Sequence, residues 1–230
     1  MKREVIITSD GSSTIHLPDW DEQYHSKHGA IQEAYHVFIK YGLHHYFDTT
    51  CISESSKNNS ELSILEIGLG TGLNAFITLL ESEKINQKIT YNGVEGYPIS
   101  QEEINQLNYA EQLNTPKSTS LFNEIHNTKW GEKNQITKLF ALTKHEKFFN
   151  DIDDIEKHHI IYFDAFGARV QPELWTETIF EKMYNALKPK GVLVTYSAKG
   201  SVRRAMIAVG FSVEKLPGPP GKREMLRATK

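Results

Sequence analysis

The stretch Ser63-Ile64-Leu65-Glu66-Ile67-Gly68-Leu69-Gly70-Thr71-Gly72-Leu73-Asn74-Ala75-Phe76 decides how the whole chain is read. Ser63 to Ile67 make an apolar run of strand length, the glycines turn the chain, and LNAFITLLESE (73–83) carries apolar residues at helical spacing. Strand, tight loop and helix in that order open a parallel α/β unit, whose ligand site lies at the carboxyl end of the strand. Gly68, Gly70 and Gly72 suit such a loop because the backbone turns sharply there, and a ligand approaches where a Cβ would stand in the way. The same residues also suit a bare strand-to-helix turn.

Further strands are expected at KITYNGVEG (88–96), ITKLFALT (136–143), HHIIYFDAF (158–166) and GVLVTYS (191–197), with a helix at PELWTETIFEKMYNALKP (172–189). GSVRRAMIAVG (200–210) reads as a short helix stopped by Gly210. FSVEKL (211–216), the turn-rich PGPPGK (217–222) and REMLRAT (223–229) read as a terminal antiparallel hairpin. Upstream lie early extended pieces, a helix from about Ala30 to Tyr41, and a polar loop at SESSKNNSE (53–61). The expected organisation is an N-terminal extension, residues 1–60, packed on a Rossmann-like domain, residues 61–230.

With 230 residues, 39% of them apolar and 24% charged, the composition is that of one soluble globular domain. A single cysteine, Cys51, forbids an intramolecular disulfide and any Cys-rich zinc site, which favours a reducing, cytoplasmic setting. MKREVIITSDGSST (1–14) lacks the apolar core of a secretion signal, and no run approaches membrane-spanning length, so no membrane partner is expected. The pairs His25/His28, His44/His45 and His158/His159 lack further ligands at zinc spacing, and no metal is expected. The net charge of −3 hides an asymmetry, because residues 188–230 hold ten Lys and Arg against two Glu. A polyanion could meet such a basic end, or the charges could simply be solvated or pair with Glu214 and Glu224.

The glycine loop is not the dinucleotide fingerprint, since Leu73 stands where its third glycine would be, and a pyrophosphate cradle is disfavoured. Glu95, 23 residues after Gly72 at the end of the next strand, is placed to accept both hydroxyls of a ribose. Glu66, just before the loop, repels phosphate and suits a cationic or amino-bearing ligand. S-adenosylmethionine carries a ribose, an ammonium and a sulfonium, and meets both demands. Asp164 ends the fourth strand, beside the point where a second substrate would meet that ligand.

Five blocks then make a family legible: DEQYHSKHGAIQEAYHVFIKYGL (21–43), EIGLGTGLNAF (66–76), YFDAFGARVQPELW (162–175), LVTYSAKGSVRRAMIAVGF (193–211) and PGPPGKREML (217–226). In this order they resemble the methyltransferase domain of the MnmC family of bacterial tRNA-modifying enzymes. The resemblance implies a class I S-adenosylmethionine-dependent fold, with a mostly parallel seven-stranded sheet and a reversed last hairpin. It implies methylation of the amine of 5-aminomethyl-2-thiouridine at tRNA position 34 to the methylaminomethyl form, by a monomer. Bifunctional relatives continue into a flavin oxidoreductase domain; ending at Lys230, this chain looks like the stand-alone version, without FAD.

By the same resemblance, Asp164 is the catalytic carboxylate, hydrogen-bonding the amine and assisting its proton loss. Glu66, Gly68, Gly70, Gly72, Asn74, Glu95, Asp164 and Phe166 form the cofactor site, and Tyr24 closes over its methionine end. Phe166 and Tyr196 suit stacking on the cofactor or an extruded base, or core packing. Arg203, Arg204, Lys222 and Arg223 would hold the anticodon stem-loop backbone, and Arg169 meets a phosphate or solvent. The family's Gly-Asp pair for adenine is missing: the stretch reads FALTKHEKFF (140–149), leaving backbone or a neighbour such as Thr143 for that contact. The competing readings are a methyltransferase for a protein or small molecule and a non-catalytic RNA-binding module that keeps the fold.

Overall fold

The computed structural model describes residues 2–51 and 61–230, so all of the expected polar loop except Glu61 lies outside the described residues. The chain begins with a small antiparallel sheet of β1 (Glu4–Ile7), β2 (Ser13–Leu17) and β3 (Glu22–Gln23). One long helical segment follows: α1 (Ala30–Ala34), a π-helical run over Tyr35–His44, and α2 (His45–Cys51). It is longer than its expected end at Tyr41 because its apolar face continues. Val37, Phe38, Leu43 and Tyr46 are buried in the same cluster as Ile64, Tyr162 and Val194 of the central sheet.

The central sheet contains β4 (Leu62–Ile67), β5 (Ile89–Glu95), β6 (Lys133–Gln135), β7 (Phe140–Glu146), β8 (His158–Phe163), β9 (Leu187–Thr195), β10 (Ser212–Pro217) and β11 (Glu224–Thr229). Helix α3 (Leu73–Ile85) joins β4 to β5. Helices α4 (Gln101–Ile104), α5 (Tyr109–Leu113) and α6 (Ser118–Asn127) precede β6, α7 (Glu177–Ala186) precedes β9, and α8 (Gly200–Ala208) precedes β10. The strand order is β10-β11-β9-β8-β4-β5-β7-β6, parallel from β9 to β7 and antiparallel at both edges. Seven strands are those expected; the eighth, β6, is a polar three-residue edge strand that carries no apolar signal.

Alternate residues along the central strands feed the two faces, as a period of two requires. Ile64, Tyr91, Phe140 and Tyr162 face the long helical segment, α3 and α6. Leu65, Ile161, Phe163 and Leu193 face α7 and α8, where Trp175 packs edge-on against Phe163 at 5.0 Å. Each such fully buried side chain contributes roughly 1.5–3 kcal/mol. The helix expected over 172–189 is divided: Pro172–Trp175 form a 3₁₀ turn, Thr176 is extended (φ −92°, ψ 163°), and α7 starts at Glu177. Its expected last residues instead begin β9, where a register shift opposite His158–Ile160 and a φ of +64° at Lys190 absorb the irregularity.

Candidate active site

The carboxyl ends of β4, β5 and β8 converge on the glycine loop. Gly68 N and Leu69 N both donate to Val94 O at 3.0 Å, and Asp164 N donates to Ile67 O at 2.9 Å, so backbone alone ties the three strand ends together. Gly68 runs at φ +88°, and a Cβ there would stand 2.7 Å from the Asp164 carbonyl oxygen. At Gly70 a Cβ would meet the ring of Tyr24 at 3.0 Å, which places the N-terminal extension directly over the loop.

Asn74, in the first turn of α3, binds two acids through one amide nitrogen: Nδ2 donates to Glu66 Oε1 at 2.9 Å and to Asp164 Oδ2 at 2.8 Å. Glu66 is fully buried and is not a wall of the cavity that opens beyond Asn74. Burial pushes its carboxyl well above the usual range; the Asn74 amide opposes the shift and nearby Asp164 adds to it. Glu66 thus stands behind Asn74 and does not face the cavity, where the sequence had led to a carboxylate facing a cation. Asp164 stands half-buried at the cavity, and its carboxyl is pushed up to about 7, first by burial and then by Glu33, against Asn74 and Lys222.

The cavity, about 1080 Å³, is bounded by the glycine loop, the end of β5, the loop after β8 and the N-terminal extension. Glu95 holds the loop from the β5 side, accepting from Gly70 N at 2.9 Å and Tyr97 N at 2.8 Å. Phe166 lies between Trp20 (5.9 Å) and Tyr24 (4.9 Å), edge-on to both. Tyr196 donates its hydroxyl to Ala165 O at 2.8 Å and lines the same wall. Burial raises the phenols of both Tyr24 and Tyr196.

Several expected positions fall elsewhere. Gly72 borders a second, small cavity with His126 and Lys144, where burial brings the Lys144 ammonium down to about 8. Thr143 is buried inside β7 away from the cavity; Phe148, Phe149 and Asn150 of the following turn line it instead. Lys222, expected with Arg223 to meet an RNA backbone, instead lines the cavity, paired with Glu33 and 3.9 Å over the Tyr196 ring. Arg169 clasps the N-terminal extension, its Nη2 donating to Trp20 O, Asp21 O and Glu22 Oε2 at 2.8–3.1 Å. Arg204 and Arg223 are exposed and Arg203 is half-buried, while Glu214 and Glu224 are taken by Arg227 and Lys215. The sequence reading missed Glu33, Trp20 and Arg3 as cavity walls, although Glu33 lies within the block 21–43 and Trp20 directly before it.

Among the described residues, no three His, Cys, Asp or Glu side chains converge to hold a metal ion, and no helix is long and apolar enough to cross a membrane. His158 and His159 are used structurally, on Asp154 and Ser63 and on Ser63 N and Lys188.

A parallel α/β sheet with a reversed terminal strand, and a carboxylate-bearing cleft at its strand ends, define a Rossmann-like class I methyltransferase fold. The family model described as S-adenosyl-L-methionine-dependent methyltransferase matches residues 102–230, and the chain belongs to that family. It is 27% identical over 234 residues to the tRNA 5-methylaminomethyl-2-thiouridine biosynthesis bifunctional protein MnmC of Cupriavidus metallidurans, covering 96% of this chain and 33% of that one. The protein of the same name from Leptospira borgpetersenii is 28% identical, with 90% and 32% covered. The chain thus spans about a third of the length of these curated relatives. In fold it is similar to MnmC2 from Aquifex aeolicus, with a TM-score of 0.77, 22% identity and 99% of this chain and 69% of that one covered. A probable spermidine synthase from Corynebacterium glutamicum shares the fold more distantly, at a TM-score of 0.53 and 16% identity, covering 99% and 76%.

Proposed function

We propose that this protein methylates the primary amine of a 5-aminomethyl-2-thiouridine at the wobble position of tRNA, giving the 5-methylaminomethyl form. The observation that carries the reading is Asp164, a half-buried carboxylate poised near neutrality in an acidic, aromatic-walled cavity. Glu22, Glu33, Glu95, Glu103, Glu173 and Asp164 line that space against Arg3 and Lys222, an environment that favours an amine over a hydroxyl or an anionic substrate. The names of the relatives, which refer to 5-methylaminomethyl-2-thiouridine biosynthesis on tRNA, support the same substrate.

The cavity residues fit S-adenosylmethionine. Asn74 Oδ1 is buried beside the cavity without a hydrogen-bond partner, and the glycines keep side-chain atoms out of the cradle. Glu95 would take the ribose with the lone pairs its two backbone bonds leave free, and Phe148 and Asn150 line the space open to adenine. When bound, this group would supply a methyl on a positively charged sulfur, open to an amine lone pair, with the S–C electrons left on sulfur. No electron is gained or lost overall, so the transfer itself calls for no redox group.

The chain's own residues do the rest. The Asp164 carboxylate accepts a hydrogen bond from the incoming ammonium, receives one of its protons and leaves the nitrogen lone pair free. Asn74, fixed by Glu66, holds that carboxylate in one orientation. Trp20, Tyr24 and Phe166 exclude water and give an extruded pyrimidine a face to stack on, worth about 1–3 kcal/mol. Arg203, Arg204 and Arg223 would meet the anticodon stem-loop backbone, leaving the loop base free to splay into the cavity.

The test is transfer of labelled methyl from S-adenosylmethionine to tRNA bearing 5-aminomethyl-2-thiouridine. The expected product is methylaminomethyl at position 34, abolished by Asp164→Ala. Transfer to free polyamines or protein amines but not to this tRNA would overturn the reading.

A further inference from the structure

The acidic side chains lining the cavity are not equivalent. Glu22 is paired with Arg169 at 3.1 Å and Glu103 with Arg3 at 3.3 Å, while Glu95 accepts two backbone N–H groups. Glu33, itself buried, is paired with Lys222, and its second oxygen accepts from Ser26 N at 2.7 Å. Glu173 is exposed at the rim. Asp164 has the uncharged Asn74 amide and no ion pair among the described residues.

Lys222 is held as firmly as its partner. It projects from the 217–223 turn, closed by Lys222 N to Pro219 O at 2.9 Å and Gly218 N to Arg223 O at 3.1 Å. His36 reaches Pro217 O at 2.8 Å, and His28 packs so closely on Gly221 that a Cβ there would run into it. Both histidines belong to the segment that carries Glu33, so carboxylate and ammonium are positioned by one packing unit. The ammonium also lies over the Tyr196 ring, whose hydroxyl is anchored on Ala165, next to Asp164.

Two carboxylates at one end of an acidic cavity would compete for a substrate ammonium. Resting on the amine-methylation reading above, we propose that Lys222 is a positioning residue: by occupying Glu33 it leaves Asp164 as the acceptor, and so directs the amine nitrogen to the methyl-transfer position. It does not serve as a contact to the RNA backbone. Substrate choice follows from the same arrangement, because the amine docks where a carboxylate lacks a cation, and a substituent bearing its own carboxylate is repelled from Asp164.

The experiment compares Lys222→Met, Glu33→Gln, the double variant and Lys222→Arg with the unsubstituted protein. Two readouts are needed: equilibrium affinity for RNA with and without the aminomethyl group, in the absence of methyl donor, and the single-turnover rate of methyl transfer. Freed Glu33 captures the amine, so Lys222→Met should bind aminomethyl RNA at least as tightly as the unsubstituted protein, yet transfer methyl roughly 10- to 100-fold more slowly, the scale of one misplaced charge-assisted hydrogen bond. Adding Glu33→Gln, or replacing Lys222 by Arg, should restore most of the rate. If Lys222→Met fails to fold, Glu33→Gln decides: it frees the Lys222 ammonium to pair with Asp164, so both the rate and the preference for the amine should fall, and an unchanged rate and preference would overturn the proposal.

Weaker binding of both RNAs by Lys222→Met, with a shallower salt dependence, would make Lys222 a phosphate contact and overturn the proposal. A double variant as slow as Lys222→Met would also overturn it. Transfer by the unsubstituted protein without rescue sinks this inference alone, whereas no transfer by the unsubstituted protein sinks the amine-methylation reading with it.

Discussion

Replacing Asp164 by Asn should remove activity and stabilise the protein, with a defined pH signature. The Asp164 carboxyl is raised from 3.8 to about 7 by burial and by Glu33. Below about pH 4 folded and unfolded chains both hold its proton. Between about pH 4 and 7 the unfolded chain releases it and the folded chain does not, so the folded state loses about 1.4 kcal/mol per pH unit from this group. Above 7 both forms are ionised and the loss is complete, at roughly 4 kcal/mol. Asp164→Asn keeps the shape and still offers an oxygen to Asn74 Nδ2, but carries no charge to bury. Allowing for relaxation around the cavity, the variant should be more stable at pH 8 by ~2–4 kcal/mol, about 5–15 °C in Tm for a chain of this length. Near pH 4 the two proteins should melt together. Thermal melts of both at half-unit steps from pH 4 to 8 measure the difference directly; carboxyls not coupled to Asp164 cancel in it, and Glu66, whose shift Asp164 adds to, widens the gap. A variant that melts at or below the parent at pH 8, or a gap that does not widen between pH 4 and 7, would refute the account of Asp164 as a half-buried, charge-strained group.

The same carboxyl should set the acid limb of activity: kcat/KM should rise about tenfold per pH unit up to about 7 and then level off, and Asp164→Asn should lose the limb along with roughly 10²–10⁴ of the rate. Asn74→Leu removes the amide donor that Glu66 and Asp164 share, which should destabilise by about 1–3 kcal/mol per hydrogen bond lost. Because Asn74 lowers the Asp164 carboxyl, the acid limb of this variant should also move to higher pH; a limb that stays in place would detach Asn74 from Asp164. Gly68→Ala should cost about 1–2 kcal/mol for its left-handed backbone, and more because its Cβ meets the Asp164 carbonyl; melts and cofactor-binding titrations should show losses together. Arg204→Ala should weaken binding of all RNAs alike and reduce the salt slope by about 1, and an unchanged slope would remove this residue from the backbone contact.

The parts of the site that were legible in the sequence belong to single strands and their ends. Ser63–Ile67, Gly68–Gly72 and Leu73–Glu83 declare strand, loop and helix by local periodicity, and Glu95 and Asp164 follow because each closes an apolar run. Glu66 was misplaced by the same logic: it stands at the strand end, but the alternation along β4 points it into the core against Asn74, where its effect on a ligand is indirect. Thr143 failed for a similar reason, since β7 runs on to Glu146 and carries the cavity wall forward to Phe148–Asn150.

Readable along the chain, therefore, were the parallel α/β architecture, the glycine loop, the two strand-end acids and the basic character of residues 188–230. These depend on periodicity, backbone freedom and charge, which are properties of short segments. Only the tertiary structure decided which acids are neutralised and by what. Glu33 and Lys222 are 189 residues apart, and Glu22 and Arg169 are 147 apart. Reading residues 188–230 as one basic region could not show that Lys222 turns inward beside Tyr196 while Arg204 and Arg223 remain exposed. Ion pairing falls off within a few ångströms of separation, and that separation is set by how the terminal hairpin packs on the helical segment, not by any spacing along the chain.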